Sequence, residues 1–161
     1  MKRMWTMLLA GAMLLTGCAK KDEDVAPGEK KLRIAVIPKG TTHVFWKSIH
    51  AGAVKAAKEL DVEVIWKGPQ KEDDRKQQIE MVQNFVTRKM DAIVLAPLDF
   101  SALVNPVEAA TDAGVKMIII DSGLDSDKFV SFVATDNKVG GTLAAKRLCE
   151  VMGGKGKALR S

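Results

Sequence analysis

The sequence predicts an α/β fold, a parallel sheet flanked by helices on both faces, and three observations carry that expectation. Short apolar runs rich in branched residues recur from residue 32 onward, segments with apolar residues at helical spacing separate them, and the two kinds alternate. Alternation of this kind needs crossover connections, which produce parallel strands with helices lying on the sheet. The crossovers should be right-handed.

The elements follow in order. Residues 32–38 (LRIAVIP) form a branched apolar run between Lys31 and Lys39, the pattern of a buried strand. Residues 46–60 place Trp46, Ile49, Ala53, Val54, Ala57 and Leu60 at helical spacing. A second strand is predicted over 62–66 and a second helix over 73–90, with Ile79, Val82, Val86 and Met90 on one stripe. Asp73 and Asp74 stand at its start, where the helix dipole favours negative charge. Residues 92–96 (AIVLA) make a third strand, and the helix after it ends near Gly114. Pro106 within that segment predicts an irregular first turn or a helix that begins at Pro106 itself. Residues 116–120 (KMIII) are the fourth strand, 129–134 a fifth, and 139–152 a further helix stopped by Gly153 and Gly154. Lys157, Ala158 and Leu159 begin another element, so the 161-residue chain is expected to be a fragment.

The first residues read as a targeting segment. Lys2 and Arg3 precede an apolar run over 4–15, too short for a bilayer span of about 20 residues and fitting the core of a secretory signal peptide. It closes on Leu15, Thr16, Gly17 and Cys18, which resembles the lipobox of bacterial lipoproteins. That resemblance implies a lipidated Cys18 as the mature N-terminus, removal of 1–17, and a location in the cell envelope or periplasm, anchored to a membrane. Residues 18–31, charged and holding Pro27 and Gly28, read as a flexible tether. Residues 32–134 are then an α/β domain, followed by residues 135–161.

Composition narrows the function classes. The formal net charge is +5, of which Lys2 and Arg3 supply two, leaving +3 without the leader. Basic residues are scattered among acidic ones, with no stripe interleaved by aromatics, so nucleic acid is not an expected partner. The only cysteines are Cys18 and Cys149; with Cys18 acylated no disulfide framework is implied. Cys149 reads as a small packed helix residue.

Ligands of open α/β sheets bind beyond the carboxyl ends of the strands, here residues 38–46, 67–73, 96–101, 121–125 and 135–137. His43, Phe45 and Trp46 follow the first strand, Asp121 and Ser122 the fourth, and Asp136 and Asn137 the fifth. An aromatic ring can pack on the C–H face of a sugar while placed polar groups bond its hydroxyls, and an ionised Asp121 would be a strong acceptor. Each residue also has a plainer role open to it. Phe45 and Trp46 fit the core face of their helix, His43 an exposed loop, Asp121 a turn ahead of Gly123, and Asp136 or Asn137 a helix cap, expected of Asn137 in any case. His50 is expected to face solvent and Trp66 to pack in its strand.

From Leu32 to Leu159 the chain resembles the sugar-binding, ribose-type periplasmic binding proteins of type I fold. The carriers are Ile34-Ala35-Val36-Ile37, Val44-Phe45-Trp46 opening a helix, Gly52-Ala53 and Ala56-Ala57 within it, the run from Asp91 to Pro97, Ile120-Asp121, and Ala134-Thr135-Asp136-Asn137 before Gly140-Gly141. The resemblance implies a solute-binding protein of an ABC uptake system, with a permease as partner, a sugar-like ligand, no cofactor or metal, and no catalysis. It assigns the ring-covering role to Phe45 and Trp46, ligand bonding to His43 and Asp121, and the first domain crossing to Asp136-Asn137. Ribose-binding members carry arginine where this chain has Ser122, an amide where it has Ala96, and asparagine where it has His43. Those differences bear on which solute is bound.

Competing classes lack their signatures. The turn Pro38-Lys39-Gly40-Thr41-Thr42-His43 has neither G-x-G-x-x-G nor a P-loop, nothing clearly assembles a nucleophile, base and oxyanion donor, and a phospho-accepting receiver would need acidic residues after the first strand. A sugar-responsive repressor would begin with a helix-turn-helix, where this chain has a leader. A surface receptor reporting to a membrane sensor shares every feature above and is the alternative job for the same fold.

Overall fold

The computed structural model describes residues 30–157. The predicted signal peptide, Cys18 and most of the tether lie outside the described residues. The elements run β1 (Arg33–Ile37), α1 (Val44–Glu59), β2 (Glu63–Trp66), α2 (Arg75–Thr87), β3 (Ala92–Leu95), α3 (Val104–Asp112), β4 (Lys116–Ile120), β5 (Ser131–Val133) and α4 (Asn137–Val151). The strands form one five-stranded sheet in the order β2-β1-β3-β4-β5, every neighbouring pair parallel. This is the predicted α/β architecture.

Register decides which residues share a face. Ala35 pairs with Ile93 and Ile93 with Met117; Ile37, Leu95 and Ile119 align one pleat further on. All six are fully buried, in one cluster with Met81, Val82 and Phe85 of α2 and Val107 and Ala110 of α3. The alternate residues Val36, Trp66, Val94, Ile118 and Val133 point to the other face. There Trp66 stacks on His50 of α1, with ring centroids 4.6 Å apart. Helices therefore lie on both faces, α1 on one and α2 with α3 on the other. The chain steps outward from β1 to β2 and then back past β1 to β3, and right-handed crossovers in opposite directions must use opposite faces. Beyond α1 the second face is thinly covered, with Val94, Ile118 and Ile120 half-buried.

Caps explain where the helices differ from their predicted bounds. The first helix begins at Val44, ahead of the predicted Trp46, because extended His43 caps it and its Nδ1 accepts from the Phe45 amide at 3.2 Å. The second begins at Arg75 because Asp74 is the cap, accepting from the Gln77 amide at 2.9 Å. It ends at Thr87 rather than Met90, the chain turning through Lys89 at φ 53°. Pro106 stands third in α3, inside a regular first turn, where an amide hydrogen would have no helical partner to lose. The fourth is capped by Asp136, whose carboxylate accepts from the Val139 amide at 2.9 Å, so Asn137 is its first residue and not its cap. No residue of α4 is buried, and Cys149 is exposed, which corrects its predicted packed role. No described element covers this helix.

One surface group carries a pH dependence. Asp99 accepts from the amides of Ala102 at 2.7 Å and Ser101 at 3.0 Å and from Arg75 Nη1 at 2.9 Å. These bonds, the Ala102 amide first, hold its carboxyl below the ordinary value of 3.8. A carboxyl depressed in the folded state contributes stability above its unfolded value and loses it as pH falls through the folded one. Asp99→Ala is therefore expected to be less stable than wild type at neutral pH, and the gap to close well below pH 3.8. Urea melts across that range test it; a gap of constant size would refute the assignment.

Candidate functional site

The carboxyl edge of the sheet is held by side chains reaching between its loops. Gln78 of α2 is fully buried. Its Nε2 donates to Ala96 O at 2.9 Å and Pro38 O at 3.3 Å, while its Oε1 accepts from the Leu98 amide at 2.9 Å. One amide thus ties the turn after β1 to the turn after β3. The connection after β4 is fixed to α3: Ser126 Oγ donates to Glu108 Oε1 at 2.8 Å, and Thr111 Oγ1 donates to Lys128 O at 2.8 Å. Leu124 is buried in the core between these anchors and the strand.

A cleft of about 480 Å³ opens on this edge, lined by Phe45 and Ile49 of α1, Ile120 and Asp121 at the end of β4, and Val133 to Thr135 with Asn137 at the β5–α4 crossing. Three of the residues selected from sequence, Phe45, Asp121 and Asn137, therefore share one wall system. Asp121 adopts φ 64°, with its amide donating to Val133 O at 3.0 Å and the next amide, of Ser122, to Ile120 O at 2.7 Å. That tight turn leaves the carboxylate at the strand end, where Ser122 Oγ donates to its Oδ2 at 3.1 Å.

Lys39 completes the polar group, and sequence reasoning missed it as a site residue. Its Nζ lies 2.8 Å from Asp121 Oδ2 and also donates to Ser122 Oγ. The available signal was a lysine immediately past an apolar strand, at the edge where ligands bind. Cation and carboxylate are each only partly exposed, 23% and 31%. Together they present donors and acceptors side by side with no net charge.

The remaining selected residues stand around the cleft instead of lining it. His43 caps α1, and Asp136 caps α4. Trp46 is 3% exposed and meets the Phe45 ring edge-on, centroids 4.9 Å apart and planes at 75°. Phe45, at 45% exposure, is the aromatic surface that faces outward. Among the described residues no group of three or more His, Cys, Asp or Glu side chains comes together as a metal site.

An open parallel sheet with a polar and aromatic cleft at its carboxyl edge has the architecture of a solute-binding domain. The chain belongs to the periplasmic binding protein domain family, whose model matches residues 34–159. A D-ribose/D-allose-binding protein of Pseudomonas aeruginosa is 32% identical over 93% of this chain and 50% of its own length. Among solved structures, a carbohydrate transporter solute-binding protein from Agrobacterium radiobacter in complex with D-arabinose is 43% identical, with a TM-score of 0.71 over 76% of this chain and 41% of that one. An ABC transporter periplasmic solute-binding protein from Actinobacillus succinogenes with bound D-allose is 34% identical, with a TM-score of 0.74 over 78% of this chain and 46% of that one. The chain spans about half the length of the curated relatives it matches. Those relatives are binding and transport proteins, not enzymes.

Proposed function

We propose that this protein is an extracytoplasmic lipoprotein that captures a sugar or sugar-like solute and delivers it to an ABC permease. The observation that carries the reading is a cleft lined by exposed Phe45 and by Asp121, whose carboxylate is bonded by Lys39 and Ser122. The ring offers a surface to the C–H face of a pyranose or furanose, and the polar group offers acceptor and donor to neighbouring hydroxyls. Asn137, the first residue of α4, adds an amide to the lining of the cleft. Trp46 and His43 contribute by fixing the turn that carries Phe45. The names of the relatives, which specify D-ribose and D-allose, and the D-arabinose and D-allose in the solved neighbours support the substrate class. In this reading residues 32–134 form the N-terminal ligand-binding domain, and 135–161 the first crossing and the start of a second α/β domain. Calorimetry of the full-length protein against aldopentoses, aldohexoses and polyols tests the proposal. Saturable binding of at least one is expected; binding only of an amino acid or other non-sugar solute would overturn the substrate class.

The lipid anchor rests on the leader and on Leu15-Thr16-Gly17-Cys18. In detergent phase partition of the expressed protein, wild type is expected in the detergent phase and Cys18→Ser in the aqueous phase. Wild type found wholly in the aqueous phase would remove the anchor from the proposal.

A further inference from the structure

The indole of Trp46 is buried and needs an acceptor for its N–H, and that acceptor comes from a different loop. Trp46 Nε1 donates to Glu72 Oε1 at 2.8 Å. Glu72 lies in the connection between β2 and α2, and the residue is exposed. Its stem crosses Gly40: a Cβ placed on Gly40 would stand 2.6 Å from Glu72 Cγ and 3.1 Å from Oε1. Glycine at position 40 is thus the seat on which the glutamate lies. Gly40 is in turn the chain neighbour of Lys39, which reaches Asp121.

We propose that Glu72 is a positioning residue of the cleft. It fixes the rotation of the Trp46 indole, whose contact with the Phe45 ring at 4.9 Å sets the aromatic wall. Its stem also holds down the turn from which Lys39 projects. An exposed glutamate adds little to the core, so its bond to a buried indole acts chiefly on orientation. The sugar reading says what the Phe45 ring is held for; the placement itself is read without any ligand and stands or falls separately.

The test is NMR of the isotope-labelled protein, with the Trp46 indole N–H and Phe45 ring signals identified from Trp46→Phe and Phe45→Leu. In Glu72→Ala the indole proton is expected to exchange with solvent about tenfold faster, the loss of one hydrogen bond, and the Phe45 ring signals to shift. Glu72→Gln keeps an acceptor oxygen on a side chain of the same length and is expected to stay near wild type in both. If Glu72→Ala does not fold, Gly40→Ala is read in its place, since it displaces the same stem while leaving the carboxylate intact, and the same two signals are expected to move. Unchanged Phe45 signals in the folded variant would overturn the proposal. So would an equal loss in Glu72→Gln, because the acceptor would then not be what matters.

Discussion

Gln78→Leu is expected to cost about 3 kcal/mol of folding stability, because leucine fills the space and leaves the partners of the amide unsatisfied. The amide is fully buried and bonds Ala96 O, Pro38 O and the Leu98 amide. Pro38 and Ala96 are buried themselves, so water has little access to replace the lost donors. Volume is nearly conserved in this substitution, which separates the polar loss from a cavity effect. Chemical denaturation measures the total, and hydrogen exchange at the Leu98 amide locates it. A variant as stable as wild type would mean that the turns after β1 and β3 hold their places without the amide.

Asp121→Ala is expected to weaken sugar binding about ten- to a hundredfold, equivalent to roughly 1.5–3 kcal/mol, by removing an ionised acceptor and leaving ligand hydroxyls unpaired. The substitution has a second effect before any ligand arrives. Lys39 loses the carboxylate 2.8 Å from its Nζ, and alanine must adopt the φ of 64°, which costs about 1–2 kcal/mol. Folding is therefore checked in parallel by circular dichroism. Asp121→Asn retains an acceptor and tolerates the backbone, so it is expected to fall between the two. Calorimetry of full-length variants decides; a folded Asp121→Ala that binds like wild type would remove Asp121 from the site.

Much of this molecule is legible in its sequence, and the misses have two causes. Apolar runs and helical spacing locate every described element because backbone period and side-chain period are tied together. The order β2-β1-β3-β4-β5 is not written in any local pattern, since it depends on which way each crossover steps. Gln78 looks like any mid-helix polar residue; only the assembled turns show that its face is inward. Lys39 was visible as the boundary of a strand but not as the partner of Asp121, 82 positions away in a chain that brings them within 2.8 Å. Helix α4 is located by the sequence, but its exposure is not. Val139, Leu143 and Val151 are more than half exposed, because a stripe gives a helix something to bury and says nothing of whether a described element is there to receive it. The expectation for Cys149 failed with it.

The left-handed backbone at Asp121 also limits how this position can drift. Of the twenty amino acids, glycine, asparagine and aspartate tolerate such a φ most readily, and two of those three carry a side-chain oxygen. Random substitution here meets a conformational filter before it meets any test of ligand binding. Branched and bulky residues are removed as folding defects, so most of what survives still presents an acceptor at the end of β4. If Asp121 bonds the solute as proposed, solute preference changes through freer neighbours such as position 122, while chain geometry alone retains an oxygen at the end of β4.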